Sequence, residues 1–279
     1  MTAITVDIQE ASRAPARSGS PSAFGALLLR DLAVLRKEFG MFMGRTVMQP
    51  LLLIFVFTYV FPKIGQGIGG VRGASGFSTL LVGGVIASVI IFQGVQAVAL
   101  PLVQDFGFTK EIEDRVLAPM PVWAVAVEKV TAGGIQALLS ALVVFPLALF
   151  VPATSVHLNV HWPYLLTVLP LASFMGAALG LVIGTSVDVR QVSLVFSLLV
   201  LPMTFLGAVY YTWQSLTAIA WLKWAVLINP LVYMSEGMRM ALTSNVPHMA
   251  PVAIYAALVG FGGAFLWLGI NGFKKRVVQ

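Results

Sequence analysis

No cysteine occurs among the 279 residues, which excludes disulfides, thiol catalysis and cysteine-ligated zinc or iron–sulfur sites. None of the seven lysines is followed by Ser or Thr, so the chain has no Gly-x-x-x-x-Gly-Lys-Ser/Thr phosphate loop and no ATP binding of that kind. Charge is scarce as well: Asp, Glu, Lys and Arg make up 10% of the residues, against roughly a quarter in soluble domains. The three histidines, His157, His161 and His248, fall outside the longest apolar runs. The one acidic cluster, Glu111, Glu113 and Asp114, has no histidine beside it and faces Lys110 and Arg115, so it makes a poor metal site. A catalytic, metal or cofactor site in this chain is therefore not expected.

What is present is apolar length. Hydrophobic residues make up 58% of the chain, and the mean hydropathy is +0.92. Six runs hold no Asp, Glu, Lys or Arg at all: 46–61, 80–103, 131–151, 163–187, 192–211 and 251–272. A hydrocarbon core about 30 Å thick takes on the order of 20 helical residues, so each run is read as a membrane span. The first is short, and the segment before it can extend it. Residues 1–22, rich in Ser, Pro, Arg and Gly with no apolar core, are expected to form a disordered, uncleaved cytoplasmic tail.

Six spans place both termini on one side. Thirteen basic residues then fall on the side of the termini, among them Arg30, Arg36, Lys37, Lys110, Arg115, Lys129 and Arg190, against four on the other (Lys63, Arg72, Lys223 and Arg239). The excess of Lys and Arg puts that first side, with both termini, in the cytoplasm, and the net charge of +6 reflects topology rather than a nucleic-acid partner. Prolines at 50, 101, 146, 170 and 202 predict kinks that neighbouring helices re-satisfy. Gly176, Gly180 and Gly184 form a small-residue stripe for close helix packing.

Two segments are neither span nor simple loop. Residues 23–44 put Phe24, Leu28, Leu32, Leu35 and Phe39 near one face and Arg30, Asp31, Lys37 and Glu38 opposite, the pattern of a helix lying along the membrane surface. Residues 214–245 hold two apolar pieces of about 13 residues meeting at Asn229-Pro230. At roughly 1.5 Å per residue neither piece spans, so an outer re-entrant helical hairpin is expected. Its charged pair, Glu236 and Arg239, is spaced to meet on one helix face. The pair reads either as a local ion pair at the lipid interface or, with Pro230, as an outer gate. The fold class is thus all-α integral membrane: six transmembrane helices, an N-terminal amphipathic interface helix, and the hairpin between spans five and six.

The connection 105–121 carries Lys110, Glu111, Ile112, Glu113, Asp114 and Arg115, then Leu117 and Pro119. It is either a solvated connecting helix or a rigid element that docks on a partner and passes its motion to the spans. With this order of elements, and with Glu111 to Arg115 followed by Leu117 and Pro119, then Pro202-Met203, Phe205-Leu206-Gly207, Asn229-Pro230-Leu231 and Glu236 to Arg239, the chain resembles the permease subunits of type-2 ATP-binding-cassette (ABC) exporters. That group moves drugs, polyketides, lipids and polysaccharides.

The resemblance implies a cargo path between two permease copies, a homodimer, and two cytoplasmic ATPase subunits that bind ATP and Mg in the chain's stead. It implies that Lys110, Glu111, Ile112, Glu113, Asp114, Arg115, Leu117 and Pro119 couple to those ATPases, with Arg30, Arg36 and Lys37 on the interface helix. The path would be lined by Phe55, Phe57, Gln93, Gln96, Ser197, Thr204 and Phe205, which suits an amphipathic or hydrophobic cargo. One departure is Asp105-Phe106-Gly107-Phe108-Thr109, where the family often has an Arg-Glu-Arg run. The alternatives are an ion-coupled secondary transporter, disfavoured because the six runs hold no carboxylate or histidine, and an integral membrane lipid-modifying enzyme.

Overall fold

The computed structural model describes residues 21–64, 73–109, 121–152, 156, 158–188, 191–244 and 246–278. The expected tail and all eight coupling residues, Lys110 to Pro119, lie outside them, apart from the end of the tail at 21–22. Every regular element among the described residues is helical. Helix α1 (Pro21–Lys37) ends on Arg36 and Lys37, which complement the negative end of its dipole. The chain breaks at Glu38, and α2 (Phe39–Ile54) starts directly after it. Residues 39–44 therefore belong to the first long helix and not to the amphipathic one. Helix α2 continues as a π-helical stretch, Phe55–Val60, where the Thr58 hydroxyl donates to the Ile54 carbonyl at 2.6 Å. This gives a 22-residue apolar rod, Phe39–Val60.

Helix α3 (Gly73–Gln104) runs on through a π-helical turn, Asp105–Thr109. Helix α4 (Val122–Phe150) starts nine residues before the apolar run at 131, behind the extended backbone of Pro121. It carries Glu128 and Lys129 into the bundle, where both are buried, so the expectation that Lys129 lies in a connection is corrected. Helix α5 (Trp162–Ser186) follows, then α6 (Val192–Leu206). At 15 residues, α6 reaches only about 22 Å at 1.5 Å per residue. The apolar run to 211 is not one helix, because the chain turns at Gly207 and Ala208.

The expected hairpin is unequal. Its first arm is three short pieces, a 3-10 turn at Trp213–Ala218, α7 (Ala220–Ala225) and a second 3-10 turn at Val226–Ile228. Its second arm is a single helix, α8 (Pro230–Leu242), buried along almost its whole length. Helix α9 (Pro251–Val278) closes the chain. Among the described residues, five helices are long and apolar enough to cross a membrane, and α6 is a shorter apolar sixth.

Lipid tails are as apolar as leucine, so close backbone approach, more than hydrophobic burial, holds such bundles together. Helices α3 and α5 form the centre, α4 packs against both, α9 packs against α5 and α4, and α8 wedges against α3, α5 and α9. The α3–α5 crossing requires the glycine stripe. A Cβ on Gly180 would meet the Val95 Cα and carbonyl at 2.9 Å, and one on Gly94 would meet the Gly176 and Ala177 backbone at 2.8 Å. Outward-facing side chains such as Phe150, Leu166, Val252 and Trp267 are exposed and apolar, as a lipid-facing surface needs.

Candidate functional site

Stopping α6 short in an apolar setting leaves its last carbonyls without intrahelical partners, a cost of several kcal/mol each in lipid. Helix α8 supplies the missing donors. Asn229 caps α8 by accepting from the Leu231 N–H at 3.0 Å, and its Nδ2 donates to the Met203 carbonyl at 2.8 Å. Ser235 donates to the Gly207 carbonyl at 2.8 Å. Arg239 Nη2 donates to the carbonyls of Ala208 and Val209, and its Nε donates to Leu80 of α3 at 3.3 Å. Ala208 takes a left-handed φ of 53°, which accompanies the convergence of its carbonyl and its neighbour's on the guanidinium.

Glu236 completes the hub. Its Oε1 accepts from Arg239 Nη1 at 3.1 Å and from the Trp213 N–H at 3.0 Å, and its Oε2 accepts from the Met249 N–H at 2.9 Å. Both side chains are 0% exposed. The reading of this pair as an ion pair at the lipid interface is therefore corrected: it sits inside the protein and binds five segments together. Burial pushes the Arg239 guanidinium down from its ordinary value, and the Glu236 charge opposes that. Burial likewise raises the Tyr211 phenol, with the Ala208 hydrogen bond and the Arg239 charge pulling back in part. Glycines 83 and 84 make room: a Cβ on Gly83 would meet Arg239 Cγ at 2.9 Å, and one on Gly84 would collide with the Val209 backbone.

A cavity of about 240 Å³ opens between α2, α3 and α6. It brings together four of the seven residues expected to line a path, Gln93, Gln96, Thr204 and Phe205, and adds Thr46, Gln49, Ser88 and Tyr210. Gln93 is anchored by donating to Thr46 Oγ1 at 2.9 Å. The other three fall elsewhere. Phe55 stacks on Tyr59 at 5.2 Å, Phe57 packs 5.5 Å from Tyr210, and Ser197 lies on the exposed side of α6. The polar residues Thr46 and Gln49, three apart at the start of the first apolar run, were the available signal for its missed wall.

At the other end of α3, Asp31 of α1 accepts from Lys129 of α4 at 2.6 Å. Of the expected interface residues, Arg30 lines a cavity beside this pair, while Arg36 and Lys37 are exposed. Among the described residues no group of three His, Asp or Glu could hold a metal.

Residues 22–243 match the ABC-2 type transporter family. The chain belongs to that family. The inner membrane transport permease YadH of Escherichia coli (strain K12) is 27% identical over 243 residues, covering 82% of this chain and 88% of the relative. The protein of that name in Shigella flexneri gives the same figures. The match takes in the α2–α3–α6 cavity, the Glu236–Arg239 pair and the Asp31–Lys129 bridge, and ends just past α8. An ABC-2 permease works in the membrane beside an ABC ATPase. Family membership also replaces the weaker case against ion coupling, since Glu128 and Lys129 do lie within a long helix of this ABC-2 permease.

Proposed function

We propose that the chain is the transmembrane permease subunit of an ATP-driven exporter in a bacterial inner membrane, moving an amphipathic or hydrophobic cargo such as a drug, polyketide, lipid or lipid-linked glycan. The observation that carries this reading is the cavity between α2, α3 and α6, in a chain whose residues 22–243 match the ABC-2 family. Its walls offer amides, hydroxyls and aromatic rings but no charged side chain, which suits a cargo with polar groups on an apolar body. In this reading α6 completes a six-span topology, both termini face the cytoplasm, and α1 lies along the inner surface. Two copies of the chain pair with two ATPase subunits, which bind ATP and Mg and press on the Lys110 to Pro119 segment.

The hub of Glu236 and Arg239 supports a role for α8 and Pro230 as the outer gate, because any opening that moves α8 must part it from the α6 end. The test is transport into inverted membrane vesicles of cells co-expressing the cognate ATPase. Uptake should require ATP, persist with ionophores, and fall when Gln93 or Thr204 is replaced by Phe. Uptake driven by an ion gradient without ATP would overturn the reading. Glu236→Gln at normal expression should change the transport rate, and an unchanged rate would leave the pair only its structural role.

A further inference from the structure

Two cavities lie end to end along α3. The larger, about 450 Å³, opens between α1, α2, α3 and α4, toward the end of α3 that leads into Asp105. The smaller is the α2–α3–α6 cavity of about 240 Å³. Their linings follow one row of α3 at four-residue spacing: Ser88, Phe92 and Gln96 on the smaller cavity, then Gln96, Leu100 and Gln104 on the larger. Residues four apart share a helix face. Ser88 to Gln104 covers about 24 Å at roughly 1.5 Å per residue, most of a hydrocarbon core about 30 Å thick. Helix α2 repeats the pattern, with Phe42 on the larger cavity and Thr46 and Pro50 on the smaller. The two helices thus flank one groove, and Gln96 stands where its two halves meet.

The charges on this groove are not open to a ligand. Lys129 and Asp31 are spent on each other at 2.6 Å, and Arg30 has a partner of its own. Glu38 is exposed at the break between α1 and α2, where water screens a pair to little. The α2–α3–α6 cavity has no charged wall at all. An ionised group moving past Gln96 would therefore shed water with no counter-charge to receive it. Amides, by contrast, are available. Gln93 ties α2 to α3 by donating to Thr46 at 2.9 Å, whereas among the described residues none hydrogen-bonds the side-chain amides of Gln96, Gln104 and Gln136. Each of these can donate to and accept from a hydroxyl or amide.

We infer that the cavity between α1 and α4 is the entry station of the cargo, that cargo passes from it along the α2–α3 groove into the α2–α3–α6 cavity, and that Gln96 is the side chain it must pass. The polar part of that cargo is uncharged and rich in hydroxyls or amides. It meets Gln104 and Gln136 first and Gln96 next, while its apolar body lies on Phe42 and Leu100 and then on Phe92. The direction of travel rests on the export reading; the continuity of the groove and its preference for an uncharged group do not.

The absence of native cysteine makes the test clean, because Gln96→Cys places a single thiol at the junction. The tagged full chain carrying it is photolabelled in its own membranes with a decyl glucoside bearing a diazirine, then purified, and the labels are mapped by mass spectrometry. Both halves of the groove should be labelled, near Leu100 and near Phe92. Benzyl methanethiosulfonate, added to the folded protein, should cut labelling near Phe92 about tenfold and spare that near Leu100, and a reductant should restore it. Decyl phosphate and decyltrimethylammonium with the same diazirine should label the Phe92 end about tenfold less than the glucoside. Labelling at Phe92 that survives the block, equal labelling there by a charged probe, or no glucoside label in either half would overturn the inference. The labelling needs no ATP, so it holds or fails apart from the vesicle uptake that tests the export reading.

Discussion

Arg239→Met is the perturbation whose size the structure defines best. It leaves the Glu236 carboxylate buried beside two backbone N–H donors with no counter-charge, and it strips the carbonyls of Leu80, Ala208 and Val209 of a donor. Removing one partner of a fully buried pair costs about 3–5 kcal/mol. At about 2–4 °C per kcal/mol for a chain of comparable size, the melting temperature should fall by roughly 6–20 °C. Glu236→Gln should cost a similar amount, because it leaves the guanidinium uncompensated. The double variant should fall short of the sum by about 1–3 kcal/mol, since both charges then leave together. Fluorescence-detected unfolding in detergent reads all three, with Arg276→Met as a control, because Arg276 pairs with a largely exposed Asp188. An Arg239→Met protein melting within 2 °C of the parent, or strictly additive effects, would refute the reasoning.

Three further outcomes follow from the packing and hydrogen bonding. Gly84→Ala should destabilise by about 1–3 kcal/mol in the same unfolding assay, because its Cβ meets backbone at Val209 that cannot swing away. Asp31→Asn or Lys129→Met should each lower stability by about 1–3 kcal/mol, and the swapped pair Asp31→Lys with Lys129→Asp should recover part of it; no recovery would show that the bridge is not the cause. Gln93→Leu should cost about 0.5–1.5 kcal/mol through the lost Thr46 contact, and a Thr46→Val background should erase that difference.

The long helices were legible because each contains a long run free of charge. A run without Asp, Glu, Lys or Arg has one stable setting, and five such runs lie within helices of spanning length. The start of α4 was not legible, since Glu128 and Lys129 interrupt the apolar pattern and the partner that admits Lys129 to the bundle is 98 residues away in sequence. The end of α6 was hidden for the opposite reason: Val209 to Tyr211 stay apolar, while the helix stops where α8 brings Asn229, Ser235 and Arg239 to its carbonyls. The spacing of Glu236 and Arg239 announced a pair, but its depth is set by α3 and by the turn at Ala208, which no local pattern encodes. Of the path residues, Gln93, Gln96 and Thr204 could be picked out as uncharged polar groups in apolar runs; which phenylalanines joined them depended on the π-helical stretch after Ile54.

Affinity purification of the tagged chain from its native membranes, followed by identification of bound proteins and a measurement of ATP turnover, tests the central claim most directly. The chain should carry a soluble ABC ATPase with it, and the assembly should hydrolyse ATP. A purified assembly that transports its cargo with no ATPase subunit present would contradict the account.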